Sequence, residues 1–403
     1  MKHTLHDSMS ESSRCHRKWR VLSAGCLAHF THDGFTDMLY VFFPIWQQFF
    51  TLGFTEIGFL RTLFSGAMAG FQLPSGVVVD RIGPIISLML GAILTGLALA
   101  STAFAPSALV LFALLVVGGV GSSAQHPVSS SAISNTYGGA ASRLALGAYN
   151  FSGDIGKLLF PSAAALLIAH FGWQKAIGTL GLCGFLSAAI ILTLLFGRPP
   201  EIHRNSGTAS SARFDFLRAG GSFSFVALSC IGILDSATRT ALLTFLPFLL
   251  RSKGADMPAL GMALSLIFAG GAAGKFACGA AASRVGPLRT VIATEMATAI
   301  LIYALLFLPV KTILLLCPLL GIALNGTSSV LYGSVPELVA CESRNDAFAF
   351  FYTCTIGAGA LSPFLYGIIG DHFGVLTTLT IVAVIATGTI PLTIPLRGKL
   401  ARY

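Results

Sequence analysis

GVVVDRIGP, residues 76–84, returns 203 residues later as GAAASRVGP, residues 279–287. Each copy stands where one long apolar stretch ends and the next begins. The same offset, within a residue or two, pairs Asp33 with Asp235 and Pro44 with Pro247. It also pairs Ser142-Arg143 with Ser343-Arg344, and His170-Phe171-Gly172 with His372-Phe373-Gly374. A duplication of this length in an apolar chain predicts two related bundles of membrane helices with a site between them.

Composition supports the membrane reading. Of 403 residues, 54% are apolar and 10% charged, and mean hydropathy is +0.80. Stretches of about 20 apolar residues span a bilayer as helices, because each backbone group must bond within its own segment. The short alternating strands of an outer-membrane barrel are absent. The net charge of +9 does not predict nucleic-acid binding. Of 25 Lys and Arg, 17 fall in the termini and loops of one side, four in the opposite loops and four inside helices. That asymmetry predicts a multi-pass protein of a bacterial-type cytoplasmic (inner) membrane with both termini cytoplasmic. Eight cysteines are scattered without a CxxC pair or zinc spacing, and read as small apolar filler. The apolar run after the basic N-terminus is too long for a signal-peptide core and reads as an uncleaved first helix.

Apolar runs between turn signals predict twelve helices over 21–49, 55–79, 85–104, 108–134, 143–169, 175–197, 222–250, 257–281, 288–309, 312–338, 345–370 and 375–396. The polar stretch GRPPEIHRNSGTASSARFDFLRAG, residues 198–221, reads as a flexible cytoplasmic linker. The expected organisation is therefore a cytoplasmic tail over 1–20, a six-helix bundle over 21–197, the linker, a second bundle over 222–396, and a tail over 397–403. Glycine clusters at 118–123 and 270–282 are expected to let helices pack closely.

Twelve helices, a 6+6 duplication, a central linker and Gly76-x-x-x-Asp80-Arg81-x-Gly83 resemble the major facilitator superfamily. The second copy keeps Gly279, Arg284 and Gly286 but has Ser283 in place of the acid. The resemblance implies an all-α fold, alternating access, and a cytoplasmic latch at Asp80 and Arg81. AHFTHDGFTDMLYVFFPIWQQFF (28–50) and GGVGSSAQHPVSSSAIS (118–134) are similar to the fosmidomycin-resistance branch. The positions that match are His29, Asp33, Gly121, Ser122, Ser123, His126 and Pro127. That branch implies proton-driven export and drug resistance. Asp154 and Lys157, in SGDIGKLLFP, depart from its neutral helix five and point to a different substrate.

A charge near the bilayer centre costs at least ~2.5–3.5 kcal/mol, so each one needs a reason. Asp33 and Asp37 share a helix face, and their repeat mates are Asp235 and Arg239. An unrelieved acid pair holds a proton more firmly, so Asp33, Asp37 and the neighbouring His29 are the expected proton-coupling residues. Pairing of either acid with Arg61 or Lys157 is the structural alternative. Lys157, Asp154, Arg239, Asp235, Arg61 and His126 are the expected substrate-binding residues. For Lys157 the competing reading is a helix-internal pair with Asp154. Gating is expected of Asp80, Arg81, Gly76, Gly83, Arg284 and Lys275. Glu295 reads as a surface-seeking acid. Phe35, Tyr40, Phe43, Trp46, Tyr149 and Tyr352 either wall the cavity or pack. The HxxH pair of His29 and His32 lacks a third ligand, and no metal is expected.

The sequence thus predicts a proton-coupled secondary transporter, an antiporter that exports a small organic anion. The alternatives are an importer or uniporter of an organic anion, or a receptor or scaffold that has kept the fold. No GxSxG elbow or GxxxxGK[ST] loop is present, so an enzyme or ATP-driven pump is not expected. The expected energy source is a proton gradient without a cofactor. The expected partners are a small-molecule substrate and the lipid bilayer, and the protein is expected as a monomer that binds no nucleic acid.

Overall fold

The computed structural model describes residues 11–195, 223–339 and 343–400, where all regular structure is helical. The expected linker 198–221 and the outermost parts of both tails lie outside the described residues. Helix α1 is Glu11–Phe50, and α2 has two segments, Phe54–Gly70 and Gln72–Ile82. Next come α3 (Pro84–Ser101), α4 in two segments (Ala108–Ser122 and Gln125–Thr136), α5 (Gly139–Phe171) and α6 (Trp173–Leu195). The second half holds α7 (Phe223–Ser252), α8 (Met257–Val285), α9 (Pro287–Leu305) and α10 (Val310–Leu338). The run Arg344–Gly388 is broken at Gly374 (φ 80°, ψ 165°), giving α11 (344–373) and α12 (375–388).

Prolines explain the breaks. Pro74 cannot donate to the carbonyl four residues back, and α2 bends by 49° just before it. Pro127 has the same effect on α4, which is interrupted between Ser122 and Gln125. At the chain end Pro391 and Pro395 convert the expected helix into a 3-10 segment, Pro391–Leu396. Helix α1 starts at Glu11, ten residues before the expected boundary.

Among the described residues nine helices are long and apolar enough to cross a membrane, ten if the α2 segments form one span. The 51-residue run Asp346–Leu396 counts once in that set. It is over twice the roughly 20 residues a span needs, and Gly374 divides it. Helix α1 is missing from the set because His29, His32, Asp33 and Asp37 dilute its apolar run. Restoring these gives the twelve spans of the duplicated pattern.

The sequence echoes are turn chemistry. Gly83 and Gly286 adopt φ of 86° and 93°, and Gly172 and Gly374 adopt 82° and 80°. These left-handed angles suit glycine, and each turn is followed by a fresh helix. His170 Nδ1 bonds the Leu166 carbonyl at 2.9 Å, and its repeat mate His372 bonds that of Ile368 at 2.8 Å.

Contacts divide the chain into two compact units whose borders cut through helices. One holds α1 through Asp37, Ala67–Lys157 and the chain from Gln174 into α6; the other holds Met38–Gly66, Leu158–Trp173 and α7–α12. Within the second unit the duplication makes two matching joints. Gly58 of α2 lies so close to the Pro363 carbonyl of α11 that a Cβ would collide with it. Gly261 of α8 meets the Pro161 carbonyl of α5 in the same way. Gly58 and Gly261 are repeat mates, as are Pro161 and Pro363. Ser162 and Ser265 add a 2.7 Å hydroxyl contact at the second joint. At the first joint the Asp371 carboxylate accepts from the Phe54 and Thr55 amides at 2.5 and 3.0 Å, capping α2. The mate of α2, α8, is capped instead by its own Asp256, which accepts from Ala259 at 2.8 Å. The glycine clusters pack as expected: Gly121 abuts Gly91 and Thr95, and Gly270 abuts Pro318.

Candidate functional site

In the first unit Asp33 is the hub of a polar cluster. Its Oδ2 lies 3.1 Å from His29 Nε2 and 3.2 Å from Lys157 Nζ. Its Oδ1 lies 3.9 Å from Nε2 of both His32 and His126. The i,i+4 spacing brings His29 onto Asp33, whereas Lys157 arrives from α5 and His126 from α4. Glycine permits this convergence. A Cβ on Gly153 would stand 2.5 Å from Asp33 Oδ2 and 2.7 Å from the His29 ring. Gly156 similarly lies against the α1 backbone at Phe30 and Gly34.

The hydrogen bonds behind the cluster orient its rings. His29 Nδ1 donates to the Tyr149 carbonyl at 2.8 Å, and His29 stacks on the Tyr149 ring at 4.2 Å. His126 Nδ1 meets the Tyr149 hydroxyl at 3.3 Å, and that hydroxyl donates towards Gln125 Oε1 at 3.5 Å. The His126 carbonyl accepts from Ser130 Oγ one turn on. The Asp33 side chain is 10% exposed, whereas those of His126 and Lys157 are 39% and 31% exposed. The flank at His126 and Lys157 is thus the more exposed side of the cluster. A cleft next to it is lined by Thr31, His32, Thr95, Ser122 and Gln125.

The carbonyl of Tyr149 can only accept, so His29 Nδ1 carries a hydrogen. In neutral His29 the Nε2 atom is then a bare lone pair facing a carboxylate oxygen at 3.1 Å. A proton or another cation between the two would turn this contact into an attraction, and the Lys157 ammonium at 3.2 Å already offsets part of the carboxylate charge.

In the second unit the repeat mates form a different network. Ser328 Oγ donates to Asp235 Oδ2 at 2.9 Å and accepts from Arg239 Nη1 at 3.0 Å. Asp235 and Arg239, four residues apart on α7, are thus joined through a serine. Glu295 of α9 is close enough to Asp235 to act on it electrostatically. It is 2% exposed, which corrects the reading of Glu295 as a surface-seeking acid. Tyr332 and Thr355 close the small cavity on this side.

Not all candidates converge. Asp37 is buried on α1 one turn beyond Asp33 and, with Asp154, is near enough to act electrostatically on Lys157. Arg61 belongs to the second unit, where its guanidinium lies 4.7 Å from the Tyr40 ring centre. Gly76, Asp80, Arg81 and Arg284 are exposed around the α2–α3 and α8–α9 turns, and Lys275 is half-buried on α8. Phe35, Tyr40, Phe43 and Trp46 are fully buried packing residues. Gln125 and Ser328 were not among the expected site residues, and Tyr149, expected to wall the cavity or pack, instead holds His29 and His126 from behind.

The model of the Major Facilitator Superfamily matches residues 25–229 and 228–400. The Fosmidomycin resistance protein of Escherichia coli (strain K12) is 30% identical over 165 residues, 40% of this chain and 40% of that protein's length. The probable sulfoacetate transporter SauU of Cupriavidus necator is 24% identical over 379 residues, 88% of this chain and 87% of that one. The methyl viologen resistance protein SmvA of Salmonella typhimurium is 30% identical over 158 residues, 39% of this chain and 32% of that one. In fold, the chain is similar to the nucleoside transporter NupG (D323A mutant). The TM-score is 0.77 at 15% identity, over 93% of this chain and 99% of that one. It is also similar to a bacterial homolog of the human lysosomal transporter Spinster. There the TM-score is 0.71 at 17% identity, over 93% and 94% of the two chains.

Proposed function

Because the chain belongs to the Major Facilitator Superfamily, we propose that it is a proton-coupled carrier of a small organic anion, with Asp33, His29 and Lys157 linking proton to anion. The family makes it a multi-pass membrane transporter and not an enzyme. The observation that carries the finer reading is the shared Oδ2 of Asp33, which faces His29 Nε2 at 3.1 Å and Lys157 Nζ at 3.2 Å.

The chemistry follows from that sharing. While Asp33 is ionised it neutralises Lys157. When Asp33 takes a proton, the ammonium loses its partner and becomes free for a carboxylate, sulfonate or phosphonate group of a substrate. Proton and anion therefore bind together, and loss of the proton returns Lys157 to Asp33 and releases the anion. Positive coupling of this kind favours co-transport down an inward proton gradient, hence uptake. The similarity to SauU over nearly the whole chain supports an anionic substrate. A second reading, export by antiport, draws on the partial similarity to two resistance proteins. It requires the proton and the substrate to compete for the cluster.

The rest of the reading is organised around this site. The Lys and Arg asymmetry supports an inner-membrane protein with cytoplasmic termini. The two six-helix halves and the linker serve alternating access, with Asp80 and Arg81 as the cytoplasmic latch. Proteoliposomes with an imposed pH gradient test the proposal, using labelled sulfoacetate as the first probe. Accumulation should follow an inward proton gradient in the wild type and vanish in Asp33→Asn. Accumulation by Asp33→Asn equal to wild type would overturn the coupling assignment. Trans-stimulation of efflux by external protons would select the antiport reading.

A further inference from the structure

We propose that the cluster of His29, Asp33 and His126 is also a binding site for a divalent transition-metal ion of the zinc, cobalt or nickel type. One ligand atom from each of these residues lies within 4.8 Å of the other two. Ligands about 2.0–2.2 Å from a tetrahedral ion stand roughly 3.4 Å apart, so small side-chain rotations close the set. The His29–Asp33 edge, at 3.1 Å, is already short enough.

Orientation argues further than proximity. Both imidazoles direct Nε2 at the Asp33 carboxylate, and both have Nδ1 engaged behind them by one residue. His29 Nδ1 donates to the Tyr149 carbonyl at 2.8 Å, and His126 Nδ1 meets the Tyr149 hydroxyl at 3.3 Å. A ring nitrogen held from behind, with the other left as a lone pair facing a carboxylate, is how metal-binding histidines are usually set. His32 packs edge-on against His126 at 4.6 Å and has Nε2 3.9 Å from Asp33 Oδ1, placing another nitrogen donor beside the set. Two or three neutral nitrogens with one carboxylate suit borderline ions, and disfavour magnesium and calcium, which take oxygen ligands. The exposed flank of His126 gives the ion a way in.

Lys157 supplies the decisive prediction. Its ammonium stands 3.2 Å from the same Asp33 oxygen, so a divalent ion and Lys157 compete for it. Removing the ammonium should tighten metal binding, whereas removing a ligand should weaken it.

The test is a cobalt(II) chloride titration of the purified full-length protein, followed by the visible d–d absorption of the bound ion. The expected result is saturation at one equivalent, unaffected by excess magnesium. His29→Asn and His126→Asn should weaken binding at least about tenfold, and Tyr149→Phe about 10–100-fold, as outer-shell losses do. Lys157→Gln should lower the dissociation constant. Because that variant moves in the opposite direction, general misfolding cannot imitate the pattern. Absence of a one-equivalent signal, or binding unchanged in both histidine variants, would overturn the site. The readout is metal binding and not flux, so it stands or falls separately from the proton-coupling assignment.

Discussion

Asp33 and Asp235 occupy matching places in the two halves, yet their surroundings differ in kind. Asp33 is shared among three imidazoles and an ammonium, groups that gain or lose protons or swing away. Asp235 is tied through Ser328 to an arginine that does not deprotonate. The first network is partly exposed at His126 and Lys157. The second is closed and held by fixed donors. A duplicated frame thus carries two unlike polar networks, one of imidazoles and an ammonium around Asp33 and one of a serine and an arginine around Asp235.

The largest effect should come from exchanging the two acids for amides. Asp33→Asn should reduce proton-driven accumulation to that of empty liposomes, whereas Asp235→Asn should keep its dependence on the gradient and lose thermal stability instead. Loss of coupling in both variants would erase the distinction drawn between the networks. Next in size is Lys157→Gln. It leaves the Asp33 carboxylate buried without its ammonium, a change expected to cost about 3–5 kcal/mol wherever the acid is ionised. Thermal unfolding should show that loss at neutral pH and a smaller one once Asp33 is protonated.

A smaller effect is expected at Gly153. Alanine there pushes a methyl group into Asp33 and His29, and overpacking of this kind costs about 1–3 kcal/mol. Transport by Gly153→Ala should fall, whereas Gly147→Ala, with nothing within 4 Å of the added Cβ, should behave as wild type. Equal behaviour of the two would mean that α5 yields readily and that the first network is not tightly set. Smallest for transport is Ser328→Ala. It removes the bridge between Asp235 and Arg239 and should lower stability by about 1–3 kcal/mol with coupling intact. A changed proton dependence in that variant would make the brace part of the exchange machinery.

Much of the frame was legible in the chain itself. Glycines at matching offsets marked turns that need left-handed backbone, and the apolar runs between them were long enough to be spans. His29 and Asp33 were readable as neighbours because four residues make one helical turn. Pairing of Asp33 with Lys157 was named as the structural alternative and is found at 3.2 Å, whereas the approach of His126 was not readable, since both residues come from other helices. Their approach depends on how α4 and α5 are rotated and how closely glycine lets α5 come. Glu295 was misread for the same reason: its residue type suggests solvent, and only a partner on a distant helix allows it to be buried.

The paired contacts of Gly58 with Pro363 and of Gly261 with Pro161 carry a practical consequence. A backbone carbonyl resting on a bare glycine leaves no room for a side chain, so leucine at either glycine acts as a wedge. Since the joints are copies of one another, leucine at either glycine should loosen its own joint by a similar amount, and both together should lower thermal stability more than either alone.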